Sequence, residues 1–290
     1  MTTAAEWVQG ARPRTLGAAV SPVLVGTAAA YADADTLIWW RAGAALVVAL
    51  GLQVGVNYAN DYSDGVRGTD TQRAGPLRLT ASGVAAPAAV RNAAAIAFGI
   101  AALSGLALAI VVDLRLLLVG AVAIAAAVLY TGGPRPYGYS GLGELAVLVF
   151  FGFVATAGSA YVQVERVPAA AWWGAVAVGL LACAILLANN IRDTDNDRAV
   201  GKRTLPVLVG APTACVLYAG CVAGAFVAAV AVGVLFPTAL IALAALPLAV
   251  RPVRVVATRR DPPSLVGALV ATARLELVVA VLLSLGLITS

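Results

Sequence analysis

The sequence predicts an all-α, polytopic membrane bundle of about nine transmembrane helices, forming one domain over residues 1–290. Three observations predict it. The chain is 61% hydrophobic and only 11% charged, against about 25% charged in an ordinary soluble domain. Its apolar runs repeatedly reach the length of about 20 residues that a helix needs to cross a bilayer. Its basic residues fall almost entirely on alternate connections between those runs.

The elements follow in order. Trp7–Arg14 reads as an interfacial lead-in, an aromatic anchor followed by Arg12 and Arg14. Thr15–Tyr31 has the basic flank and apolar length of a signal peptide, and Ala32-Asp33-Ala34 resembles a cleavage site. The apolar remainder makes it an uncleaved first span instead. Further spans are expected at 37–60, 88–112, 114–131, 143–163, 168–191, 213–235, 238–256 and 265–288. The connections after helices one, three, five and seven are short. Those after helices two, four, six and eight carry the glycines, prolines and charges.

Charge tests this layout. Fifteen of the 19 basic residues fall on the side of the amino terminus and the four long connections. Arg41, Arg115 and Arg166 fall on the other side, and Arg274 lies with Glu276 inside the last span. The positive-inside rule therefore predicts a cell-membrane protein with its long connections in the cytoplasm. The pI near 9.4 reflects topology and anionic lipid rather than nucleic acid. The three cysteines lie in apolar runs without metal-ligand spacing. With no histidine in the chain, His-based triads and His-ligated zinc or haem are excluded.

Six of the ten aspartates stand in two short stretches. The first, Asn57-Tyr58-Ala59-Asn60-Asp61-Tyr62-Ser63-Asp64, comes straight off an apolar run and leads to Asp70. The second is Asn189-Asn190-Ile191-Arg192-Asp193-Thr194-Asp195-Asn196-Asp197. Positions four apart share a helix face, which aligns Asn60 with Asp64, Asn57 with Asp61, and Asn189 with Asp193 and Asp197. Asp195 points off that face. A shift of 129 residues places Asn60 on Asn189 and Asp64 on Asp193, a weak repeat that predicts two four-helix halves plus a ninth helix.

Two carboxylate ladders at the same membrane face supply the hard oxygen ligands that Mg²⁺ takes while it keeps positions for phosphate oxygens. The expected ligands are Asn60, Asp61, Asp64, Asp193 and Asp197, with Asn57, Asn189 and Asn190 beside them. Lys202, five residues after the second ladder, is the candidate for a direct diphosphate contact. Arg67, Arg73, Arg78 and Arg135 are further candidates. A ladder that only ends a helix is the plainer reading of either stretch alone; two on one side favour a metal–diphosphate site.

At these residues the sequence resembles the UbiA superfamily of intramembrane aromatic prenyltransferases. Its second acidic pattern is matched by Asp193 and Asp197, and its first by Asn60 and Asp64. Gly68 stands where many members carry a third acid. That departure resembles the branch acting on 1,4-dihydroxy-2-naphthoate, whose pattern is met by Asn60, Asp61, Tyr62, Asp64, Gly68 and Asp70. Further similarities are Ala11-Arg12-Pro13-Arg14, Gly75-Pro76-Leu77-Arg78, Tyr130-Thr131-Gly132-Gly133, Gly141-Leu142-Gly143-Glu144 and Gly201-Lys202-Arg203-Thr204. The resemblance implies Mg²⁺-dependent transfer from a polyprenyl diphosphate to the naphthoate, with loss of carbon dioxide, in menaquinone biosynthesis. It also implies substrate contacts from Asp70, Tyr137, Tyr139 and Glu144, and a cation-stabilising role for Tyr62, Phe150 and Phe151.

Other readings remain at this stage. The acceptor could be a 4-hydroxybenzoate, a homogentisate-like phenol or a sugar phosphate. The Asp-Gly-x-x-Ala-Arg pattern of CDP-alcohol phosphotransferases is absent, since Val66-Arg67-Gly68 follows Asp64-Gly65. A cation transporter would be expected to carry its acids near mid-membrane rather than at helix ends. No protein partner can be inferred.

Overall fold

The computed structural model describes residues 2–69 and 77–290, and among them it holds helices and turns but no strand. The amino-terminal helix α1 (Ala4–Gly10) and a short turn of helix, Pro13–Thr15, lead into α2 (Gly17–Ala34) at a 50° bend. There follow α3 (Trp39–Arg67), α4 (Pro87–Val111), α5 (Arg115–Leu129), α6 (Gly143–Val164) and α7 (Ala169–Ala199). The short α8 (Leu205–Val209) precedes α9 (Ala211–Leu235), α10 (Pro237–Thr258) and α11 (Pro262–Ile288).

Among the described residues, α3, α4, α6, α7, α9, α10 and α11 are long and apolar enough to cross a membrane, seven in all. The bent α1–α2 pair makes a possible eighth, and α5 is a shorter apolar helix of 15 residues. The expected count of about nine therefore exceeds what length and composition establish. The chain is an integral membrane protein. Large apolar side chains such as Ile96, Leu103, Leu118, Val227 and Val234 are exposed on its flanks, where lipid replaces water as the solvent.

Helix α7 is the axis of the bundle. Of its most apolar stretch 72% is buried, against 22–50% for the other long helices. Small residues allow this: Ala170, Ala171, Ala175, Ala177, Ala182 and Ala184 are all buried. In lipid, close packing rather than water exclusion holds helices together, so small interfacial residues are favoured. One close backbone approach is Gly152 of α6 on Gly179 of α7. A Cβ on either would lie under 3 Å from the other's Cα. Helix α7 packs against α9, α11 and the middle of α6, while α3 packs chiefly on α4.

Within α6, residues Leu148–Val154 form a π-helical turn, a distortion frequent at functional sites. Glu276 of α11 is 0% exposed and neither carboxylate oxygen has a hydrogen-bond partner, whereas Arg274 faces outward. Being two residues apart, they do not pair.

Candidate active site

The two acidic stretches occupy the carboxyl-terminal ends of α3 and α7, and Asn196 Nδ2 joins them by donating to the Thr69 carbonyl at 3.3 Å. Between them lies a polar cavity of about 90 Å³. Asn60, Asp64, Asn189, Asn190, Asp197 and Lys202 line it, together with Arg12, Arg78, Tyr130, Thr131, Tyr139 and Thr204. It adjoins a second cavity of about 1100 Å³ that runs among α2, α3, α5, α6 and α7. Arg12, Asn60, Arg78, Tyr130, Leu186 and Asn189 line both.

The polar end is electrostatically coupled. Asp64 is 3% exposed and Lys202 5%, and the Lys202 ammonium lies 3.0 Å from Asp64 Oδ2. The same ammonium sits 4.6 Å from the centre of the Tyr139 ring, within cation–π range. The Tyr139 hydroxyl donates to Asp64 Oδ1. Burial, with the Asp64 charge beside it, pushes the Tyr139 phenol upward, so that it remains a donor. Burial likewise pushes Tyr137 up to about 12; its hydroxyl donates to the Ala126 carbonyl at 2.8 Å. Thr204 donates to Asp197 Oδ2 at 3.2 Å, and the Lys202 amide donates to the Asp197 carbonyl at 2.8 Å. The turn after α7 therefore brings Lys202 back over both ladders.

Several expected site residues have other partners. Asp61 does not face the cavities: its carboxylate accepts from the Leu79 and Thr80 amides, each at 2.8 Å. One residue of rotation beyond Asn60 turns it toward the 77–85 segment, which it anchors. Asp193 lines neither cavity, because its neighbour Arg192 clasps it through Nε and Nη2 at 2.7 and 2.6 Å. Arg192 Nη2 also donates to Asn189 Oδ1, and Arg192 itself lines the large cavity. Arg67 clamps the Thr131 and Gly133 carbonyls and lines neither cavity. Arg135, between two prolines, is exposed on its loop and lines neither.

Glu144 also lines neither cavity; it stands behind Asn190, whose Nδ2 donates to Glu144 Oε1 at 2.9 Å. Asn57 lines the large cavity, but its amide donates to the Ala11 carbonyl. Asn60 accepts from the Thr131 hydroxyl at 2.7 Å. Tyr62 packs against the cluster around Tyr58 and Leu79 rather than on a cavity wall. Phe150 and Phe151 do line the large cavity, placed there by the π-helical turn. Gly68 closes α3 at φ +72°, a left-handed cap where an acidic side chain would be strained. Asp70, Arg73 and the Gly75-Pro76 pair lie outside the described residues.

Arg12, expected from its sequence context as an interfacial charge, lines both cavities. It adopts φ 57°, ψ 61°, a costly backbone state for a non-glycine residue. It is held there because Trp7 packs edge-on against Tyr58, whose hydroxyl donates to the Trp7 carbonyl, and Asn57 grips Ala11. Tyr130, Thr131, Thr204 and Arg192 lie within the quoted motifs and also line the cavities, though no role is expected for them individually from sequence.

Among the described residues no three acidic or thiol side chains gather as a metal cage. The polar cavity instead offers Asp64 and Asp197 with the amide side chains of Asn60 and Asn189. That set of hard oxygen donors fits Mg²⁺, which is held by one or two carboxylates plus substrate phosphates rather than by a complete protein shell.

A membrane bundle whose long apolar cavity opens into a buried cluster of oxygen donors and cations defines an intramembrane enzyme for a lipid with an anionic head. The chain belongs to the UbiA prenyltransferase family, whose model matches residues 19–269. It is 49% identical over 251 residues, 87% of this chain and 86% of the relative, to a Mycobacterium tuberculosis protein named 1,4-dihydroxy-2-naphthoate octaprenyltransferase. An Escherichia coli (strain K12) protein of the same name is 38% identical, covering 98% of this chain and 95% of the relative. The fold is shared with the apo structure of a UbiA homolog from Aeropyrum pernix K1, at TM-score 0.70 and 20% identity over 94% of this chain and 97% of that one. It is also shared with a UbiA homolog from Archaeoglobus fulgidus bound to GPP and Mg²⁺, at TM-score 0.68 and 13% identity over 98% and 100%.

Proposed function

We propose that the protein transfers a polyprenyl group from its diphosphate to 1,4-dihydroxy-2-naphthoate, releasing diphosphate and carbon dioxide. The product is demethylmenaquinone, formed as its quinol, in menaquinone biosynthesis. The observation that carries this reading is the continuity of the two cavities at Arg12, Asn60, Arg78, Tyr130 and Asn189. A charged head and an apolar tail can then be held at once, with their junction at the shared wall.

Asp64 and Asp197, with Asn60 and Asn189, would hold Mg²⁺ at the polar end. Mg²⁺ when bound supplies positive charge to the diphosphate oxygens as the allylic carbon–oxygen bond breaks. Lys202 adds a second, preorganised positive charge, fixed by Asp64 and the Tyr139 ring. Arg12 and Arg78 border both cavities, where the head meets the tail. Phe150 and Phe151 present aromatic surface to the allylic cation. The aromatic ring then attacks the allylic cation through the carbon bearing the carboxylate, and carbon dioxide leaves from that carbon in place of a ring proton, its bonding electron pair restoring the aromatic ring. A chain with no histidine thus needs no strong general base.

The test is a competition. Purified protein with Mg²⁺ and a polyprenyl diphosphate receives equal 1,4-dihydroxy-2-naphthoate and 4-hydroxybenzoate, with product masses and carbon dioxide as readouts. The naphthoate should win by about a hundredfold or more, since a one-ring acceptor is held loosely against the cation. Preferential prenylation of the benzoate, or a naphthoate product that keeps its carboxylate, would overturn the assignment.

The same reading places α2 and α5 across the membrane with the seven longer helices, nine spans in all, in two four-helix halves followed by α11. The matched positions of Asn60 and Asn189 at the ends of α3 and α7 support those halves. The fifteen basic residues on one side support a site at the cytoplasmic face of the cell membrane. Cysteines introduced at Arg135 and Ala199, both exposed, should resist an impermeant thiol reagent in intact cells and react once the membrane is opened. Labelling from outside would reverse the topology.

A further inference from the structure

We propose that Gln53 recognises the aromatic acceptor, its carboxamide hydrogen bonding the hydroxyl at ring position 4; this rests on the transferase reading above. Gln53, Asn57 and Asn60 recur at helical spacing on one face of α3, and all three line the large cavity. The upper two have partners in the protein. Asn57 donates to the Ala11 carbonyl at 3.0 Å, and Asn60 accepts from Thr131 at 2.7 Å. Gln53 is 8% exposed, and its Oε1 is buried with no hydrogen-bond partner.

A buried amide oxygen without a partner costs free energy that an apolar residue at the same place would not. The surroundings offer no internal use for it. Ala45, Val48, Ala49, Leu52 and Leu108 line the cavity nearby in sequence or packing. The hydroxyls of Thr15 and Ser159, which also line it, are spent on the Arg12 and Ala155 carbonyls at 3.1 and 2.7 Å. A prenyl chain cannot hydrogen bond, so of the two substrates only the aromatic acceptor can supply the partner.

Depth and charge select the group. Gln53 lies seven residues before Asn60, about 10 Å along the helix axis at 1.5 Å per residue. That is too far for it to share the diphosphate head. A neutral carboxamide suits a neutral hydroxyl, whereas the acceptor's carboxylate suits the Arg12, Arg78 and Arg192 end. With the reacting carbon 2 against the allylic carbon, its carboxylate and the adjacent 1-hydroxyl stay at that end. The 4-hydroxyl, across the ring, is the polar group that points deeper.

The experiment compares 1,4-dihydroxy-2-naphthoate with 1-hydroxy-2-naphthoate in wild type, Gln53→Leu and the near-isosteric Gln53→Met. The missing hydroxyl is meta to carbon 2, so its loss leaves the nucleophilicity of that carbon largely intact. Wild type should prefer the dihydroxy acceptor by about tenfold or more in kcat/KM. Both variants should lose that factor with the dihydroxy acceptor alone, bringing the preference close to unity, with KM for the prenyl diphosphate unchanged. An undiminished preference in the variants, equal losses with both acceptors, or no preference in wild type would overturn the assignment to Gln53. A wild type that prenylates neither naphthoate would instead overturn the transferase reading itself.

Discussion

Asp64→Asn is expected to lower kcat by about a thousandfold or more while leaving the protein folded and extractable. Removing one preorganised charge contact at a developing anion costs about 10²–10³ in rate, and Asp64 contributes twice. It supplies an anionic oxygen to the metal cluster and fixes Lys202 at 3.0 Å. The amide keeps the shape but leaves the Lys202 ammonium buried without its counter-charge. Two neighbours on the same motifs should behave differently. Asp195→Asn should stay within about twofold of wild type, because Asp195 is fully exposed opposite Arg198. Asp61→Ala should destabilise the fold by about 2 kcal/mol or more, since it removes a buried carboxylate bonded to two amides. Initial rates and thermal melts in detergent check all three. Wild-type turnover in Asp64→Asn would remove it from the chemistry.

Chelation is the other large effect. Excess EDTA should reduce turnover by about a hundredfold or more, and Mg²⁺ should restore it. Ca²⁺ should restore it poorly, since it seeks six to eight oxygens at longer distances than a small set of two carboxylates and two amides provides. The measurement is the rate in metal-free buffer titrated with each cation. A rate indifferent to EDTA would end the metal reading and leave Lys202, Arg12 and Arg78 to carry the diphosphate.

The sequence by itself determined the helical membrane class, the family, and the two places where its chemistry lies. Each rests on a local signal that survives folding. Apolar length determines membrane crossing, and spacing along one helix determines which polar groups share a face, as with Asn60 and Asp64. Composition even ruled out histidine chemistry. The tertiary structure decided which members of those motifs meet.

Asp61 and Asp193 look equivalent to Asp64 and Asp197 in one dimension. Yet the Leu79 and Thr80 amides claim one and the Arg192 guanidinium the other. Arg67 and Arg135 differ from Lys202 in the same way, because the Thr131 and Gly133 carbonyls take the first and the path of its loop leaves the second exposed. Arg12 entered the site only because Trp7, Tyr58 and Asn57 hold the amino-terminal turn across α3. Gln53 has no motif to mark it, and its significance comes from an oxygen left without a partner beside an apolar cavity. Packing selects hydrogen-bond partners, whether next door, as for Arg192 and Asp193, or between segments, as for Asp61 with Leu79 and Thr80. Periodicity therefore locates the faces, while packing decides what each face touches.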